Sequence, residues 1–265
     1  MVKTPKHIRD HNRSAWDREV GKGNQWTIPV SPEAITRARN GDWDIVLTPT
    51  VPVPKDWFPP PGGADVLCLA CGGGQQGPIL AAAGAKVTVL DNSPAQLARD
   101  REVAEREGLD VTAVEGDMAD LGRFPDGSFD LVFHPVSNVF VPDIIPVWRE
   151  CYRVLRPGGV LLAGFMNPDV YLFDYDEVER TGVLEVKFKL PYADTTHLAA
   201  AALRKRYDEL EPLEFSHTLD EQIGGQLAAG FVITGFFEDR YSSVPEDPVP
   251  KYMATCLATR AVKPA

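Results

Sequence analysis

The segment DVLCLACGGGQQGP, residues 65–78, limits this chain more than any other stretch. A short apolar run that ends in glycines and then opens a helical pattern reads as a buried strand turning tightly into a helix. Glycine permits positive φ and lets the backbone approach a neighbour closely. Such a turn leaves the first N–H groups of the helix unpaired and aimed forward, an arrangement suited to an anionic or nucleotide-like ligand. Gly72, Gly74 and Gly77 fit G-x-G-x-x-G, and Asp91 closes the next apolar run about 20 residues on, where a carboxylate can accept from ribose hydroxyls. A tight turn alone can demand the glycines; together with Asp91 they point to an adenosine cofactor.

From Asp65 onward, apolar runs alternate with helical segments, which implies βαβ units and a parallel sheet. Strands are expected at Asp65–Ala70, Lys86–Asp91, Val111–Glu115, Phe129–His134 and Val160–Phe165. Helices are expected at Gln75–Ala83, Pro94–Glu107 and Asp143–Leu155, with Gly84, Gly108 and the Pro157-Gly158-Gly159 run as stops. After Asn167-Pro168 the rhythm breaks. Partial alternation from Val183 to Leu190 predicts a half-exposed strand inside an insertion over residues 168–215, a candidate lid. The period resumes at Thr218, whose spacing to Glu221 forms a capping box for a helix ending near Gly230. Strands Phe231–Glu238 and Tyr252–Arg260 follow. The expected fold class is therefore α/β: a Rossmann-like, seven-stranded, mostly parallel sheet with helices on both faces and an antiparallel C-terminal strand. Residues 61–265 form this domain. Residues 1–60 form an N-terminal helical extension, with a helix near His7–Val20 and a second opened by Ser31 as N-cap and Pro32 at its first position. The proline-rich run TPTVPVPKDWFPPPGG forbids helix and central strand alike and reads as a connector.

Composition excludes several classes. The 265 residues are 44% hydrophobic and 25% charged, ordinary for a globular protein. A net charge of −11 repels phosphate backbones and anionic lipid, so neither nucleic acid nor membrane is an expected partner. The N-terminus lacks an apolar signal core, and no stretch is long enough to cross a bilayer. Cys68, Cys71, Cys151 and Cys256 lie in apolar segments without framework spacing, which fits a reducing, cytoplasmic setting. The C-x-x-C pair Cys68 and Cys71 has no second pair to complete a zinc site and reads as two buried structural thiols.

Two cofactor classes share the glycine–aspartate geometry: dinucleotides such as NAD(P), and S-adenosylmethionine. The later segments separate them. LACGGG after the first strand, VLDNSPAQL around the second, EGDMADL after the third, FPDGSFDLVF into the fourth and LRPGGVLL into the fifth occur in register over residues 65–165. In this the chain resembles the small-molecule branch of the class I S-adenosylmethionine-dependent methyltransferases. The resemblance implies that Ala70, Gly72 and Gly74 line the methionine and ribose portion and that Asp91 binds both ribose hydroxyls. It places Asn92 beside the adenine, Asp117 as acceptor for the adenine amino group, the backbone of Met118 on the ring, and His134 beside the methionyl moiety. Gln76 and Gln96 complete the expected cofactor set. The sequence departs from the family pattern at Cys68, where an acidic residue is usual, and at Ala70, where glycine is usual. Gln75, Gln76 or Trp16 would then supply contacts that the missing carboxylate does not.

The implied function is methyl transfer to a small-molecule acceptor, which needs alignment more than acid–base chemistry. His134 is the candidate catalytic base, with His197 and His217 as further histidines near the insertion. No metal is expected. Acceptor specificity is expected from the extension, as a cap, and from residues 168–215, where Trp16, Trp26, Trp43, Tyr171, Phe173, Tyr175 and Tyr192 could line a pocket. The run Asp174–Glu179 reads as a solvated face or as an acidic rim that attracts an amine. A nucleic-acid acceptor is disfavoured further because His134-Pro135-Val136-Ser137 stands where an Asn/Asp-Pro-Pro-aromatic motif would. An NAD(P)-dependent oxidoreductase and a non-catalytic adenosine-binding protein are the alternatives.

Overall fold

The computed structural model describes residues 4–243 and 246–265. Two helices come first, α1 (Lys6–Lys22) and α2 (Pro32–Arg39). The second starts as its sequence dictates: Ser31 Oγ accepts from the Ala34 N–H at 3.3 Å, and Pro32 occupies the first turn, where no N–H is needed. The sheet domain then runs β1 (Asp65–Leu69), α3 (Gln76–Ala82), β2 (Lys86–Asp91), α4 (Pro94–Glu107), β3 (Val111–Glu115), β4 (Phe129–His134), α5 (Ile145–Val154) and β5 (Leu155–Met166). The insertion carries α6 (Tyr175–Thr181), α7 (Asp194–His197) and α8 (Ala200–Asp208). The chain closes with α9 (Gly225–Ala229), β6 (Val232–Asp239), α10 (Val249–Tyr252) and β7 (Cys256–Val262).

The seven strands lie in the order β3-β2-β1-β4-β5-β7-β6, parallel except for β7, which is antiparallel to both its neighbours. Strand order reverses between β1 and β4. At such a switch point the loops leaving the carboxyl ends diverge and open a crevice, which is where open α/β sheets take ligands.

Alternation along β1 divides the core. Val66 and Cys68 pack on one face with Ile35, Leu47, Ile79, Leu97 and Phe133; Leu67 and Leu69 pack on the other with Leu121, Val147, Trp148 and Leu161. All four cysteines are free and buried. The adjacent Cys68 and burial together push the Cys71 thiol well up, so it stays protonated. Residues 45–53 lie across the first face. Gly164 of β5 makes room for them, since a Cβ there would fall 2.2 Å from the Leu47 carbonyl oxygen. No helix among the described residues is long and apolar enough to cross a membrane.

Two expectations are corrected. Residues 183–190 form no strand: their pairing is a single bridge from Val186 to Phe173, and the Lys187 and Phe188 N–H groups both donate to the Leu172 carbonyl. The alternation arises because Leu184, Phe188 and Leu190 cover the aromatic cluster around Tyr171 and Tyr192, while Val183 and Val186 face solvent. The last strand starts at Cys256, after the short helix α10. The capping box is present, with Thr218 Oγ accepting from the Glu221 N–H at 3.1 Å and Glu221 Oε2 accepting from the Thr218 N–H at 2.8 Å. The helix it opens begins as a π-turn over residues 220–224.

Candidate cofactor and acceptor site

A cavity of about 710 Å³ opens at the carboxyl ends of β1, β2 and β4 and continues beneath the insertion. Ala70, Cys71, Gly72, Gln75 and Gln76 form one wall; Asp91, Asn92, Gln96, Gly116, Asp117 and Met118 form the next. The volume is within the range of small-ligand pockets, roughly 300–1,000 Å³.

Each wall has a local cause. The chain leaves β1 through Ala70, which adopts φ +47°. This left-handed conformation costs a non-glycine residue about 1–2 kcal/mol and is held by the Ala70 N–H bond to the Leu90 carbonyl at 2.7 Å. The loop then lies against Asp91, whose Oδ2 accepts from the Gly72 N–H and whose Oδ1 accepts from the Ser93 N–H, each at 2.9 Å. A Cβ on Gly72 would fall 3.0 Å from that carboxylate and 2.7 Å from Gln96 Cβ, so only glycine lets loop and aspartate meet. Two backbone bonds use about half of the lone-pair directions of a carboxylate, leaving Asp91 acceptor capacity for two further hydroxyls. Burial raises its pKa despite those bonds. Gln96 Oε1, buried and without a partner, is further unmet capacity on the same wall. A ribose-bearing nucleoside fits these donors and acceptors.

Asp117 also lines the cavity, but much of its capacity is already in use. Thr4 donates to it through Oγ1 at 2.9 Å and through N–H at 3.3 Å, and the Ala119 N–H donates at 3.0 Å. The extension thus forms part of this end of the cavity. Asn92 Nδ2 donates to the Arg9 carbonyl at 2.8 Å, and Ser93 Oγ bonds Asp17 Oδ1 at 2.6 Å, so α1 is tied to the loop after β2.

Of the expected cofactor residues, Ala70, Gly72, Gln76, Asp91, Asn92, Gln96, Asp117 and Met118 meet in this cavity. Two do not. Gly74 faces away: its carbonyl accepts from the Val30 N–H at 2.9 Å, its φ is +72°, and a Cβ would fall 2.9 Å from the Arg99 carbonyl oxygen. Its glycine serves the turn and the close approach of α4. His134 is fully buried behind the wall, with Nδ1–H donating to the Leu69 carbonyl at 2.9 Å and the ring edge-on to Trp148. Burial lowers its pKa to about 4, so the imidazole is neutral, and it does not line the cavity. His217 is buried and donates to the Asn138 carbonyl at 3.0 Å, and neither it nor His197 lines the cavity. Among the aromatics, Trp16, Trp26, Tyr171, Phe173, Tyr175 and Tyr192 line it. Trp43 packs in the core instead, capped by Lys55 Nζ at 3.4 Å from its ring centre.

Sequence reasoning missed Asp100, which is fully buried beneath the loop and accepts from the Gly73 N–H at 3.0 Å. Burial pushes its carboxyl up to about 8. The signal was available: Gln96, Leu97, Asp100, Val103 and Ala104 follow helical spacing, putting an acid on the inward face of α4. It also missed Glu19, Arg206 and Glu214, which line the cavity from α1 and the insertion without any motif.

Comparison with known proteins gives one family. Residues 67–163 match the model described as a methyltransferase domain. The chain is 54% identical over 253 residues to a Bacillus subtilis protein described as the uncharacterized methyltransferase YbaJ, covering 96% of this chain and 97% of that one. A sterol 24-C-methyltransferase of Aspergillus fumigatus is 38% identical over 122 residues, 44% of this chain and 32% of the relative. Among solved structures, an S-adenosylmethionine-dependent methyltransferase from Mesorhizobium loti matches with TM-score 0.60 at 21% identity, over 78% of this chain and 94% of that one. The Burkholderia thailandensis 1,6-didemethyltoxoflavin-N1-methyltransferase, solved with its acceptor and S-adenosylhomocysteine, matches with TM-score 0.57 at 17% identity, over 100% and 92%.

Proposed function

The chain belongs to the class I S-adenosylmethionine-dependent methyltransferases, and from that membership we propose that it methylates a small organic acceptor held in the same cavity as the cofactor. The observation that carries this reading is the continuity of the cavity, which runs from Asp91 past Met118 and Ser137 to Met166, Tyr171 and Tyr192. It is a cleft of small-molecule size, walled by aromatics with a few polar groups, as acceptor pockets are. The net charge of −11 supports a small guest over a nucleic acid.

In this reading Asp91 holds the ribose hydroxyls through charge-assisted bonds, and Asn92, Met118 and the free capacity of Asp117 surround the adenine. Ala70, Gly72, Gln76 and Gln96 enclose the rest of the cofactor, whose sulfonium supplies an electrophilic methyl group. The work of the chain is to align the acceptor at about 3–3.5 Å from that carbon and to exclude water. The extension acts as the cap, through Trp16, Trp26 and the Thr4–Asp117 contact. His134 contributes no base; its bond to Leu69 steadies the end of β1.

An acceptor screen with a deuterated-methyl donor and mass detection tests the proposal. The expected result is a small molecule that gains one labelled methyl per turnover. Labelling of nucleic acid or protein alone, with every small molecule unchanged, would overturn it.

A further inference from the structure

We infer that the insertion-lined end of the cavity selects an acceptor carrying a positive charge, an organic ammonium on an apolar or aromatic frame. This rests on the methyl-transfer reading above and narrows its substrate class.

Stacked rings form the wall at this end. Tyr171 and Tyr192, 7% and 6% exposed, lie with centroids 5.4 Å apart and planes at 20°, and Phe188 leans on Tyr192 at 4.9 Å. Aromatic faces are electron-rich and attract cations, most strongly where water is excluded. Each tyrosine also fixes a carboxylate. Tyr171 OH donates to Glu214 Oε2 at 2.6 Å, and Tyr192 OH donates to Asp194 Oδ1 at 2.7 Å. The Glu214 N–H donates to Asp194 Oδ2 at 2.9 Å, so the two acids are held together by backbone as well as by rings.

The charge at this end is unbalanced. Asp174, Asp176, Glu179, Asp194, Glu211 and Glu214 line it, against Arg206 as the basic residue of the same segment. Arg206 pairs within this set, 2.9 Å from Glu211 and 3.6 Å from Asp194, and so offsets part of the charge. Lys187 neutralises Asp174 at 3.1 Å from outside the lining. Among the described residues Glu214 makes no ion pair; a neutral phenol is its side-chain partner. Burial, helped by the nearby Asp194 charge, raises its pKa against the opposing Tyr171 hydroxyl and Arg206 charge. A guest cation seated against the rings supplies compensating charge. An anionic guest meets repulsion, and a neutral one leaves the carboxylate uncompensated, so the same groups select by rejection as well as by attraction.

The test is a charge series on one frame. Phenethylamine, phenethyl alcohol and phenylacetate are titrated calorimetrically into protein saturated with S-adenosylhomocysteine. The amine is expected to bind at least tenfold more tightly than the alcohol, and phenylacetate to give no heat. Glu214→Gln, which keeps an oxygen for Tyr171, is expected to reduce the preference for the amine below threefold while the affinity for S-adenosylhomocysteine stays within twofold. An alcohol that binds as tightly as the amine, or a wild-type protein that takes S-adenosylhomocysteine and none of the three probes, would overturn the inference and leave methyl transfer standing. Failure to bind S-adenosylhomocysteine at all would overturn both.

Discussion

Substitution of Gly72 by alanine tests the core of the site with a single carbon atom. The added Cβ falls 2.7 Å from Gln96 Cβ, 3.0 Å from Asp91 Oδ2 and 3.1 Å from Asp91 Cγ. None of these is a free end. Gln96 Cβ is rooted in the first turn of α4, and the Asp91 carboxylate is held by the N–H groups of Gly72 and Ser93. Carbon atoms pack at about 3.5–4.0 Å, so loop and helix must part by roughly 1 Å, which stretches the 2.9 Å Gly72–Asp91 bond beyond use. Overpacking costs about 1–3 kcal/mol, and a lost bond to a charged acceptor about 1.5–3 kcal/mol. Partial relaxation makes the sum less than additive, so Gly72→Ala is expected to lose about 2–4 kcal/mol, a fall in Tm of roughly 5–15 °C for a chain of this size. Affinity for S-adenosylhomocysteine, measured by calorimetry, should fall at least tenfold. Gly62→Ala is the control: no heavy atom lies within 4 Å of its Cβ, and its stability should stay within about 0.5 kcal/mol of wild type. A Gly72→Ala protein with unchanged Tm and unchanged affinity would refute the claim that loop and aspartate meet as described.

Two further predictions concern buried titratable groups. The Asp100 carboxyl is raised from 3.8 to about 8, so the folded state holds a proton that the unfolded chain releases. Its contribution is complete below pH 4 and is lost as pH rises through 8, at up to about 1.4 kcal/mol per pH unit. Denaturant unfolding of wild type against Asp100→Asn from pH 4 to 8 should show the gap moving steadily in favour of the variant, and parallel curves would contradict it. His134 has the opposite sign. Its pKa is lowered from 6.5 to about 4, so its contribution is present above pH 6.5 and is lost as pH falls toward 4. His134→Gln should therefore lose less stability than wild type over that interval, and a His134 ring that titrates near 6.5 by NMR would refute its burial.

The cofactor half of the molecule was legible in the sequence because its signals are local. Strand-to-glycine turns, helix caps such as Ser31, and an aspartate at a strand end each act over a few residues. Asp91, Asn92, Gln96, Asp117 and Met118 accordingly converge in the cavity. The acceptor half depends on long-range packing. Residues 183–190 alternate as a strand would, yet no neighbouring strand offers a ladder, and their apolar side chains cover Tyr171 and Tyr192 instead. Helix α8 was missed although Ala-Ala-Leu-Arg-Lys-Arg is built of strong helix formers; none of its residues is fully buried, so no apolar stripe marked it. His134 and Gly74 show the converse limit. Their positions beside the site were readable, but which way each faced was set by packing against Trp148 and Arg99.

Calorimetric titration of S-adenosylhomocysteine into wild type and Asp91→Ala, with NAD in parallel, addresses the central claim most directly. The aspartate is assigned two charge-assisted bonds to ribose, worth about 1.5–3 kcal/mol each, so removing it should weaken binding by roughly 10²–10⁴-fold. NAD should give no saturable heat. An Asp91→Ala protein that binds S-adenosylhomocysteine as tightly as wild type, or a wild-type protein that prefers NAD, would contradict the account.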